Sequence, residues 1–386
     1  PDDGTEIRRA RDHRLKGRIL VIDAYTPEPD QDSGSVRLCY LMNCMTQLGY
    51  GVTFMADNRS HAGSYTTSLQ QAGIEVIYSP WADSLQQFFA DRGTEFDFVM
   101  ISRHYIARTY LSLIRRHCPG AKFIFDTVDL HYLREERMAE LEDSLPLKRT
   151  AAQTRRSELA VIEAADATIV VSPVEKTVLE EAAPGAKVHV ISNVHEVTGS
   201  QCSFQKRKDI FFVGGYQHPP NIDAATWFVG EIWPLVRKEL PDIEFHLIGS
   251  KAPEQIRALN GNGVRFHGFV KTLEPWLDGC RMAVAPLRYG AGIKGKVNMS
   301  MARGQPVVAT PMAVEGMFAK AGHDVLVAES AEAFAAEVVR LYRDEALWNR
   351  VSEAGLENVR QYFSVETATL GLQQLLSSLG EASSPR

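Results

Sequence analysis

The sequence predicts an α/β protein made of two doubly wound domains. The chain has 386 residues, which is too long for one compact core and suits two domains of about 200 residues each. Short apolar runs rich in β-branched residues alternate with amphipathic helical stretches, a pattern typical of parallel sheets with helices on both faces. The alternation stops at the polar stretch 196–209 and then restarts, so we place a domain boundary near residue 200.

The first domain is predicted to open with a strand, a loop and a helix. GRILVIDAY (17–25) is a buried-strand run, and a helical pattern begins at Ser35 and ends at Gly49 and Gly51. The other strand candidates of this domain are 52–56, 74–79, 96–102, 122–128, 167–172 and 187–192. Helical segments separate most of them, which indicates a parallel sheet.

The second domain repeats this organisation. Its strand candidates are 210–215, 243–250, 264–270, 281–287, 305–311 and 324–329. The residues after Ala331 are helical in pattern, and we expect the last helix to pack back on the first domain. The predicted divisions are 1–16 (charged extension or linker), 17–200 (first domain), 201–365 (second domain) and 366–386 (C-terminal helix and tail). Open sheets bind ligands beyond the carboxyl ends of their strands, so the two domains are expected to face each other across a cleft.

Composition excludes several classes of function. The net charge of -6 and the pI near 6.0 argue against nucleic-acid binding, which needs a basic face. No apolar run approaches the roughly 20 residues that span a bilayer. The five cysteines form no cluster with zinc spacing, and we expect free thiols in a reducing cytoplasm. The chain begins with Pro and a charged stretch without an apolar leader, as expected of a trimmed chain or a domain cut from a longer polypeptide.

The stretch GAGIKGKV (290–297) nearly matches an ATP-binding phosphate loop. Val297, however, stands where a Ser or Thr would bind magnesium, and the stretch follows about the fourth strand of its domain. An ATPase is therefore disfavoured. The glycines still let backbone N–H groups approach an anion, and a helix starting near Lys294 would direct its positive end at that anion, with Lys294 and Lys296 adding charge. The alternative interpretation is a tight strand-to-helix turn with surface lysines.

A second glycine turn lies in FVGGYQHPPN (212–221), at the end of the first strand of the second domain. Gly214 and Gly215 would let a ligand approach the backbone closely. A turn without a ligand is equally compatible with the two glycines.

Longer motifs around these turns resemble one protein family. FVGGYQHPPNIDAATWFVGEIWPLV (212–236) and PLRYGAGIKGKVNMSMARGQPVVATPMAVEGM (286–317) resemble a branch of the retaining GT4 (glycosyltransferase group 1) family of GT-B glycosyltransferases. FDTVDLHYLREER (125–137) and EAADATIVVSPVEKTVLEE (163–181) resemble the same branch. The resemblance extends over nearly the whole chain after about residue 17 and is most specific in the second domain.

The resemblance implies a GT-B fold of two Rossmann-like domains. It also implies transfer of a hexosyl or deoxyhexosyl group, with retention, from a nucleotide diphosphate sugar to a glycan or lipid-linked glycan. The expected context is bacterial surface polysaccharide synthesis (O-antigen, capsule or exopolysaccharide), in the cytoplasm or peripherally at the inner face of the membrane. No metal and no cofactor are expected, because a helix N-terminus and basic side chains stabilise the departing diphosphate in such proteins. The residues implied in nucleotide-sugar binding are Gly214, Gly215, Arg288, Gly292, Ile293, Lys294, Lys296, Met299 and Glu315.

Two positions depart from the family pattern. The family carries two glutamates eight positions apart, the first near the sugar and the second on the ribose hydroxyls; here Ala291 and Met299 occupy these places. Main chain can replace the first contact in a GAGIK-type branch, whereas a thioether is a weak acceptor for ribose hydroxyls. Glu315 is a candidate for one of the two roles, and a solvated loop glutamate is the alternative.

The first domain is expected to supply the acceptor side and a residue near the reacting sugar. Gly34, Ser35 and Arg37 lie in the loop after the first strand, with helix capping as the alternative role. His131 follows another strand on the cleft side, as in the family, and Asp129 could orient it; a packed structural histidine is the alternative. His104 is the rival histidine on the acceptor side.

Two functions remain open from the sequence. One is an active glycosyltransferase with Lys294 on the phosphates and His131 near the sugar. The other is a degenerate GT-B domain, catalytically weak or silent, that binds glycan or supports other domains of a longer polypeptide. Ala291 and Met299 favour the second, and the glycines and lysines of 290–297 favour the first.

Overall fold

Parallel strands form two sheets, one in each half of the chain. The computed structural model describes residues 10–381; the outer parts of the predicted N-terminal extension and C-terminal tail, 1–9 and 382–386, lie outside the described residues. Each strand predicted from the sequence is present, and the ladders that join the strands are parallel. The prediction of an α/β protein with two doubly wound domains is confirmed.

The first sheet has seven strands in the spatial order β3-β2-β1-β4-β5-β6-β7. These strands are β1 (Gly17–Asp23), β2 (Tyr50–Ala56), β3 (Glu75–Ile77), β4 (Phe98–Ser102), β5 (Lys122–Asp126), β6 (Ala167–Val170) and β7 (Val188–Val190). The helices of this half are α1 (Ser33–Gln47), α2 (Ser64–Gln71), α3 (Leu85–Arg92), α4 (His104–His117), α5 (His131–Leu141), α6 (Leu145–Ala164) and α7 (Pro173–Ala182).

Both faces of this sheet are buried, which explains why its strands appear as continuous apolar runs. In β1, Leu20 and Ile22 pack into the core on one face. Ile19 and Val21 pack into the core on the other face. A strand covered by helices on both sides needs apolar residues at every position, and the same requirement makes such strands recognisable in the sequence.

The second sheet has six strands in the order β10-β9-β8-β11-β12-β13. They are β8 (Ile210–Val213), β9 (Phe245–Ile248), β10 (Val264–Gly268), β11 (Met282–Ala285), β12 (Val307–Ala309) and β13 (Leu326–Val327). The helices are α8 (Pro219–Trp227), continued by a π-helical segment (Phe228–Ile232), α9 (Trp233–Glu239), α10 (Glu254–Arg257), α11 (Glu274–Gly279), α12 (Gly295–Ala302), α13 (Pro311–Val314), α14 (Ala331–Arg343), α15 (Glu345–Tyr362) and α16 (Val365–Glu381).

The last helix connects the two halves. Leu372, Leu375 and Leu376 of α16 are buried in the core of the first sheet, on the face that α1 covers. The preceding helix, α15, packs on α12 of the second half. The chain therefore crosses from the second half to the first between α15 and α16, and the carbonyl of Phe363 at this crossing accepts a hydrogen bond from the backbone N–H of His195 (2.8 Å).

Arg37 has a structural role, which corrects its prediction as an acceptor contact. Its side chain is only 2% exposed and forms an ion pair with Asp126, at 2.8 Å between Nη1 and Oδ2. The remaining donors bind the carbonyls of Ile191 and Ser192. A guanidinium with all sides occupied in the core cannot also bind a ligand. The ion pair instead ties α1 to the end of β5.

Candidate active site

The glycine-rich loop 290–294 runs from β11 into the N-terminus of α12. Gly290 has a φ of 144° and Gly292 a φ of 66°, both in the region that favours glycine. Lys294 occupies the N-cap position of α12, and its side chain makes no capping hydrogen bond. The first amide N–H groups of a helix have no acceptor within the helix, so this end can bind an anion. Val297 packs into the core, which rules out the magnesium contact of an ATP-binding loop.

This loop faces the first domain at very short range. A Cβ atom at Gly295 would lie 2.7 Å from the Cβ of Ser33, at the start of α1. One at Gly292 would lie 3.0 Å from the Cβ of Asp129. Glycine is therefore required at both positions for the two domains to approach each other. The N-terminus of α12 thus lies in the cleft between the domains and does not face bulk water.

Two lysines carry their ammonium groups into this region without an anionic partner. Lys294 Nζ donates to the carbonyls of Ala291 (3.0 Å) and Gly292 (2.6 Å). Lys296 Nζ donates to the amide oxygen of Asn221 and lies 4.4 Å from the centroid of the Phe212 ring. Within residues 10–381, neither ammonium has a carboxylate within 4.0 Å. Burial lowers the pKa of Lys294 to about 8 and that of Lys296 to about 7.

The second glycine turn lies beside these lysines. The Asn221 side chain packs directly against Gly214. A Cβ atom at position 214 would lie only 2.7 Å from the Asn221 Cγ, so a larger residue would not fit. The Asn221 side chain donates to the carbonyl of Gly215 (2.8 Å) and accepts from Lys296. His218 occupies the N-cap position of α8 without a side-chain capping hydrogen bond, and burial lowers its pKa. Asn221 therefore couples the Gly214–Gly215 turn to the lysine of the glycine-rich loop.

A strained turn precedes His131 at the start of α5. Val128 has a φ of 65°, an outlier for a β-branched residue that is found mainly where function requires it. Asp129 follows and forms an ion pair with Arg134. His131 is the first residue of α5 and is 7% exposed. Its Nδ1 lies 3.1 Å from the Asp129 carbonyl oxygen and 3.5 Å from the Asp129 carboxylate, so Asp129 orients the imidazole.

Two buried carboxylates accept hydrogen bonds from the backbone of this turn and of the start of α5. Glu158 of α6 is completely buried and accepts from the backbone N–H groups of His131 (3.3 Å) and Tyr132 (3.0 Å). Glu175 of α7 accepts from the N–H groups of Leu130 and Val171, each at 3.1 Å. The N-terminus of α5 is therefore already occupied by protein carboxylates. The N-terminus of α12, in contrast, has no side-chain capping hydrogen bond.

The pKa values of the turn follow from these contacts. Burial alone lowers the pKa of His131, but the Glu158 hydrogen bond and the charge of Asp129 outweigh burial and leave that pKa raised. Burial raises the pKa of Glu175 to about 7. Burial lowers the pKa of His104, whose ring centroid lies 5.2 Å from that of His131. The carboxylates thus favour the protonated form of His131, while His104 is held neutral.

An ion pair closes one side of the cleft. Arg137 of α5 binds both carboxylate oxygens of Glu315, at 2.6 and 2.8 Å. The same guanidinium donates to the carbonyl of Gly290 at 2.7 Å. Arg137 belongs to the first domain, whereas Glu315 and Gly290 belong to the second. The arginine therefore connects α5, which carries His131, with the glycine-rich loop.

A double-mutant cycle should detect this connection. We expect Arg137→Ala and Glu315→Ala to be non-additive by about 1 kcal/mol in urea unfolding, because the bidentate pair joins two domains and is only partly exposed. Arg155→Ala and Glu136→Ala provide the matched control, since their atoms are 3.6 Å apart and the side chains are more exposed. Additive effects in both cycles would show that the Arg137 contact is not formed in solution.

Comparison with known proteins identifies relatives of the same fold. Residues 207–344 match the family model described as Glycosyl transferases group 1. Over the whole chain, sucrose-phosphate synthase from Thermosynechococcus elongatus superposes with a TM-score of 0.73 at 16% identity, covering 95% of this chain and 100% of that one. Structures of this kind share the GT-B architecture. The chain has the GT-B fold, and its match to the glycosyltransferase group 1 model lies within the second domain.

Two further relatives add detail. HepE from Anabaena in complex with UDP-glucose superposes with a TM-score of 0.66 at 15% identity, over 94% of this chain and 99% of that one. An uncharacterised 44.6 kDa protein in the cps region of Klebsiella pneumoniae is 26% identical over 140 residues. That match covers 34% of this chain and 36% of the Klebsiella protein, so it relates about a third of each.

The other residues predicted for the donor site have different contacts in the structure. Ile293 is buried, and its carbonyl accepts from Asn193 of the first domain (3.3 Å). Met299 packs against the core of the second domain. Arg288 binds Asp223 and lies over the Trp227 ring. Its charge is thus balanced by Asp223, and Lys296 rather than Arg288 is the second unpaired cation near Lys294.

The residues predicted for the acceptor side lie near the start of α1 and α4. Ser35 donates its backbone N–H and its hydroxyl to Asp32, each at 2.8 Å, so it takes part in helix capping. Gly34 lies between Asp32 and the Val128 side chain. His104 is the first residue of α4, and its Nδ1 lies 3.3 Å from the Ser157 hydroxyl. His104 and His131 therefore form one histidine pair on the cleft side of the first domain.

Sequence reasoning missed several residues of the site. The most important are Glu158, Glu175, Arg137 and His218. Each was present in or near a motif that pointed to the family, but only the fold shows that they converge. A weak signal existed for Glu175, because Ser172 and Glu175 form the Ser-x-x-Glu pattern of a helix start.

Proposed function

We propose that this protein is a retaining glycosyltransferase that uses a nucleotide diphosphate sugar as donor. The observation that supports this most strongly is the pair of partly buried ammonium groups of Lys294 and Lys296 beside a helix N-terminus in the cleft, neither of them directly bound to a carboxylate of residues 10–381. A partly buried cation without a directly bound counterion is unfavourable in an empty site. A diphosphate supplies the missing negative charge.

The proposed reaction needs no protein nucleophile. The bond between the anomeric carbon and the diphosphate oxygen breaks, and the negative charge that develops on the diphosphate is stabilised by the lysines and the α12 amide groups. The acceptor hydroxyl attacks the same face of the sugar and transfers its proton to the departing diphosphate. His131 is held by Glu158 and Asp129 in the turn that Gly292 approaches, and it is proposed to orient the sugar through hydrogen bonds.

The acceptor is proposed to be a glycan or lipid-linked glycan of a bacterial surface polysaccharide. The partial match to a protein of the cps region of Klebsiella pneumoniae supports this context. Among residues 10–381, no helix has the length and apolar character needed to cross a bilayer. We propose that a lipid-linked acceptor would be reached by peripheral association with the membrane.

The direct test is donor binding followed by turnover. Calorimetry with UDP-glucose, GDP-mannose and dTDP-glucose is expected to reveal binding of at least one of them, because a diphosphate is common to all three. Release of the nucleoside diphosphate with a polysaccharide acceptor would then establish transfer, and NMR of the product would show whether the anomeric configuration is retained. Failure of all three donors to bind would defeat the proposal.

A second candidate is a degenerate GT-B domain that binds glycan without turnover. It is favoured by Met299, which packs into the core where the family has a glutamate for the ribose. This candidate predicts glycan binding without nucleotide release. The same donor-binding and turnover measurements therefore separate the two functions.

Donor affinity is expected to fall as the pH rises. Burial lowers the pKa of Lys296 to about 7 and that of Lys294 to about 8, so both lysines lose their charge in the empty site as the pH passes through these values. A bound diphosphate favours the charged forms, and binding at pH 8 should therefore take up about one proton. Calorimetry of UDP-glucose in buffers of different ionisation enthalpy measures this uptake. An affinity that stays constant from about pH 6 to 9 would contradict it.

Turnover is expected to be independent of divalent metal ions. The lysines and helix end supply the positive charge that a metal would otherwise provide. In the part of the chain from residue 10 to 381, no group of three or more His, Cys, Asp or Glu side chains is arranged to hold a metal. Treatment with EDTA should leave the rate of UDP-sugar turnover unchanged, and a loss of activity restored by magnesium or manganese would argue against the proposed site.

A further inference from the structure

A separate cavity lies near the glycine-rich loop, between the two domains. Its volume is about 310 Å³, and it is lined by first-domain loops together with Gln217 and Lys251 of the second domain. It adjoins the donor region at two places. One lining residue, Gln217, lies in the turn before His218. Another, Asp32, caps α1, whose first residue, Ser33, lies against Gly295. Its size is at the lower end of the range for small-molecule sites, about 300–1,000 Å³.

The lining of this cavity is polar. Asn58, Gln31, Gln217 and Ser35 contribute amide and hydroxyl groups, which can both donate and accept hydrogen bonds. Ala62 is one of the few small apolar groups among the lining residues. Such a surface suits a ligand rich in hydroxyl groups and offers little to an isoprenoid or acyl chain.

The charges of the cavity disfavour an anionic ligand. Asp23, Glu28 and Asp32 face two cations, Arg103 and Lys251. Asp23 and Arg103 already neutralise each other through an ion pair at 2.8 Å. The remaining carboxylates exceed the remaining cation, so a phosphate or a uronate would meet net negative charge. An uncharged ligand incurs no such repulsion.

Two non-glycine residues with positive φ line the same cavity. Arg103 has a φ of 69° and Lys251 a φ of 56°, and neither is a glycine. Each such conformation costs of the order of 1 kcal/mol and occurs preferentially at binding sites. The two residues come from different domains and both line the cavity. Arg103 and Lys251 therefore contribute one cation to the cavity from each domain.

Aromatic rings extend from the cavity towards His131. Tyr25 lines the cavity and is 67% exposed. Tyr105 is 40% exposed and interacts electrostatically with Tyr25 and with the Asp23–Arg103 pair. The Tyr105 ring centroid lies 6.2 Å from that of His131. Exposed tyrosines combine an apolar ring with a polar tip, which suits the mixed apolar and hydroxyl faces of a sugar.

We infer that this cavity binds an uncharged sugar residue, the terminal unit of the acceptor, with Tyr25 as its stacking platform. This inference rests on the proposed glycosyltransferase function and specifies its acceptor as a neutral glycan end. A sugar in the cavity would direct a hydroxyl along the tyrosines towards His131 and the donor loop. The charged or lipid part of a larger acceptor would lie outside the cavity.

Saturation-transfer NMR in the presence of UDP tests the inference. The probes are methyl glycosides of neutral hexoses, 6-deoxyhexoses and N-acetylhexosamines, together with methyl glucuronoside and a short-chain polyprenyl phosphate. We expect signals from at least one neutral glycoside and none from the two anions. Tyr25→Ala should weaken that glycoside about tenfold without changing UDP affinity. Trp81→Ala is the matched control, because Trp81 is 75% exposed in the same domain and does not line the cavity.

The outcomes separate this inference from the proposed function. Binding of glucuronoside or polyprenyl phosphate in preference to the neutral glycosides would overturn the inference while leaving donor binding intact. Binding of UDP without any neutral glycoside would also overturn it, as would a Tyr25→Ala effect no larger than that of Trp81→Ala. Absence of nucleotide binding in the wild-type protein would instead refute the proposed function.

Discussion

Replacing Lys294 by methionine is expected to lower transfer about 10² to 10³-fold, the usual cost of removing one group that stabilises transition-state charge. Lys294 belongs to the loop that approaches the first domain at Gly292 and Gly295, so no neighbouring charge substitutes for it fully. The thermal midpoint of the empty protein should not fall, because the ammonium is partly buried and its hydrogen-bond partners are backbone carbonyls. Turnover of UDP-sugar and thermal unfolding measure the two effects.

Lys271→Met is the matched control for this prediction. Lys271 lies in the same domain and is exposed, so its replacement should change neither turnover nor stability appreciably. Full activity of Lys294→Met would remove the assignment of this lysine to the diphosphate. A large loss of stability would show that the side chain has a structural role instead.

Replacing Glu158 by alanine is expected to destabilise the protein by about 3 kcal/mol and to reduce transfer at the same time. The carboxylate is completely buried and accepts from the N–H groups of His131 and Tyr132, and removing one member of a buried charged cluster costs about that much. Since Glu158 raises the pKa of His131, the NMR titration of His131 should move to lower pH. Urea unfolding and that titration provide the measurements.

Two variants control for the position and the charge of Glu158. Glu163 lies on the exposed side of the same helix, so Glu163→Ala should have little effect on either measurement. Glu158→Gln keeps one acceptor oxygen and should retain more stability than Glu158→Ala, while the pKa of His131 should still fall. An unchanged His131 titration in Glu158→Ala would mean that Glu158 does not act on the histidine.

The strands were predictable because they are covered on both faces. In GRILVID the four consecutive residues 19–22 are apolar and fully buried, so their burial leaves a continuous signal. Their ends were less well defined: the run 324–329 contains a strand of only two residues, Leu326–Val327. At the ends of such short strands, polar residues are equally common in strands and in loops, so the sequence does not mark where the strand stops.

The site was predictable where its chemistry is local in sequence. The glycine-rich loop and its lysines occur within eight residues, and their spacing pointed to an anion at the start of a helix, where the structure places α12. Arg37 was misassigned because its partner, Asp126, is 89 residues away. Its charge in a loop-and-helix motif suggested a ligand, whereas the fold buries it in an ion pair.

The contacts that join the two domains could not be predicted. Arg137 and Glu315 are separated by 178 residues, and Asn193 meets Ile293 across 100 residues. These pairs form only after two independently recognisable sheets have been placed face to face. No local pattern in the sequence encodes that placement.

A crystal structure of the protein with UDP bound is the most direct test of the proposed anion site. We expect the diphosphate at the N-terminus of α12, within hydrogen-bond distance of Lys294 Nζ and of the backbone N–H groups at the start of that helix, with Lys294 released from the carbonyls of Ala291 and Gly292. A diphosphate bound elsewhere, with Lys294 still donating to those two carbonyls, would contradict the assignment.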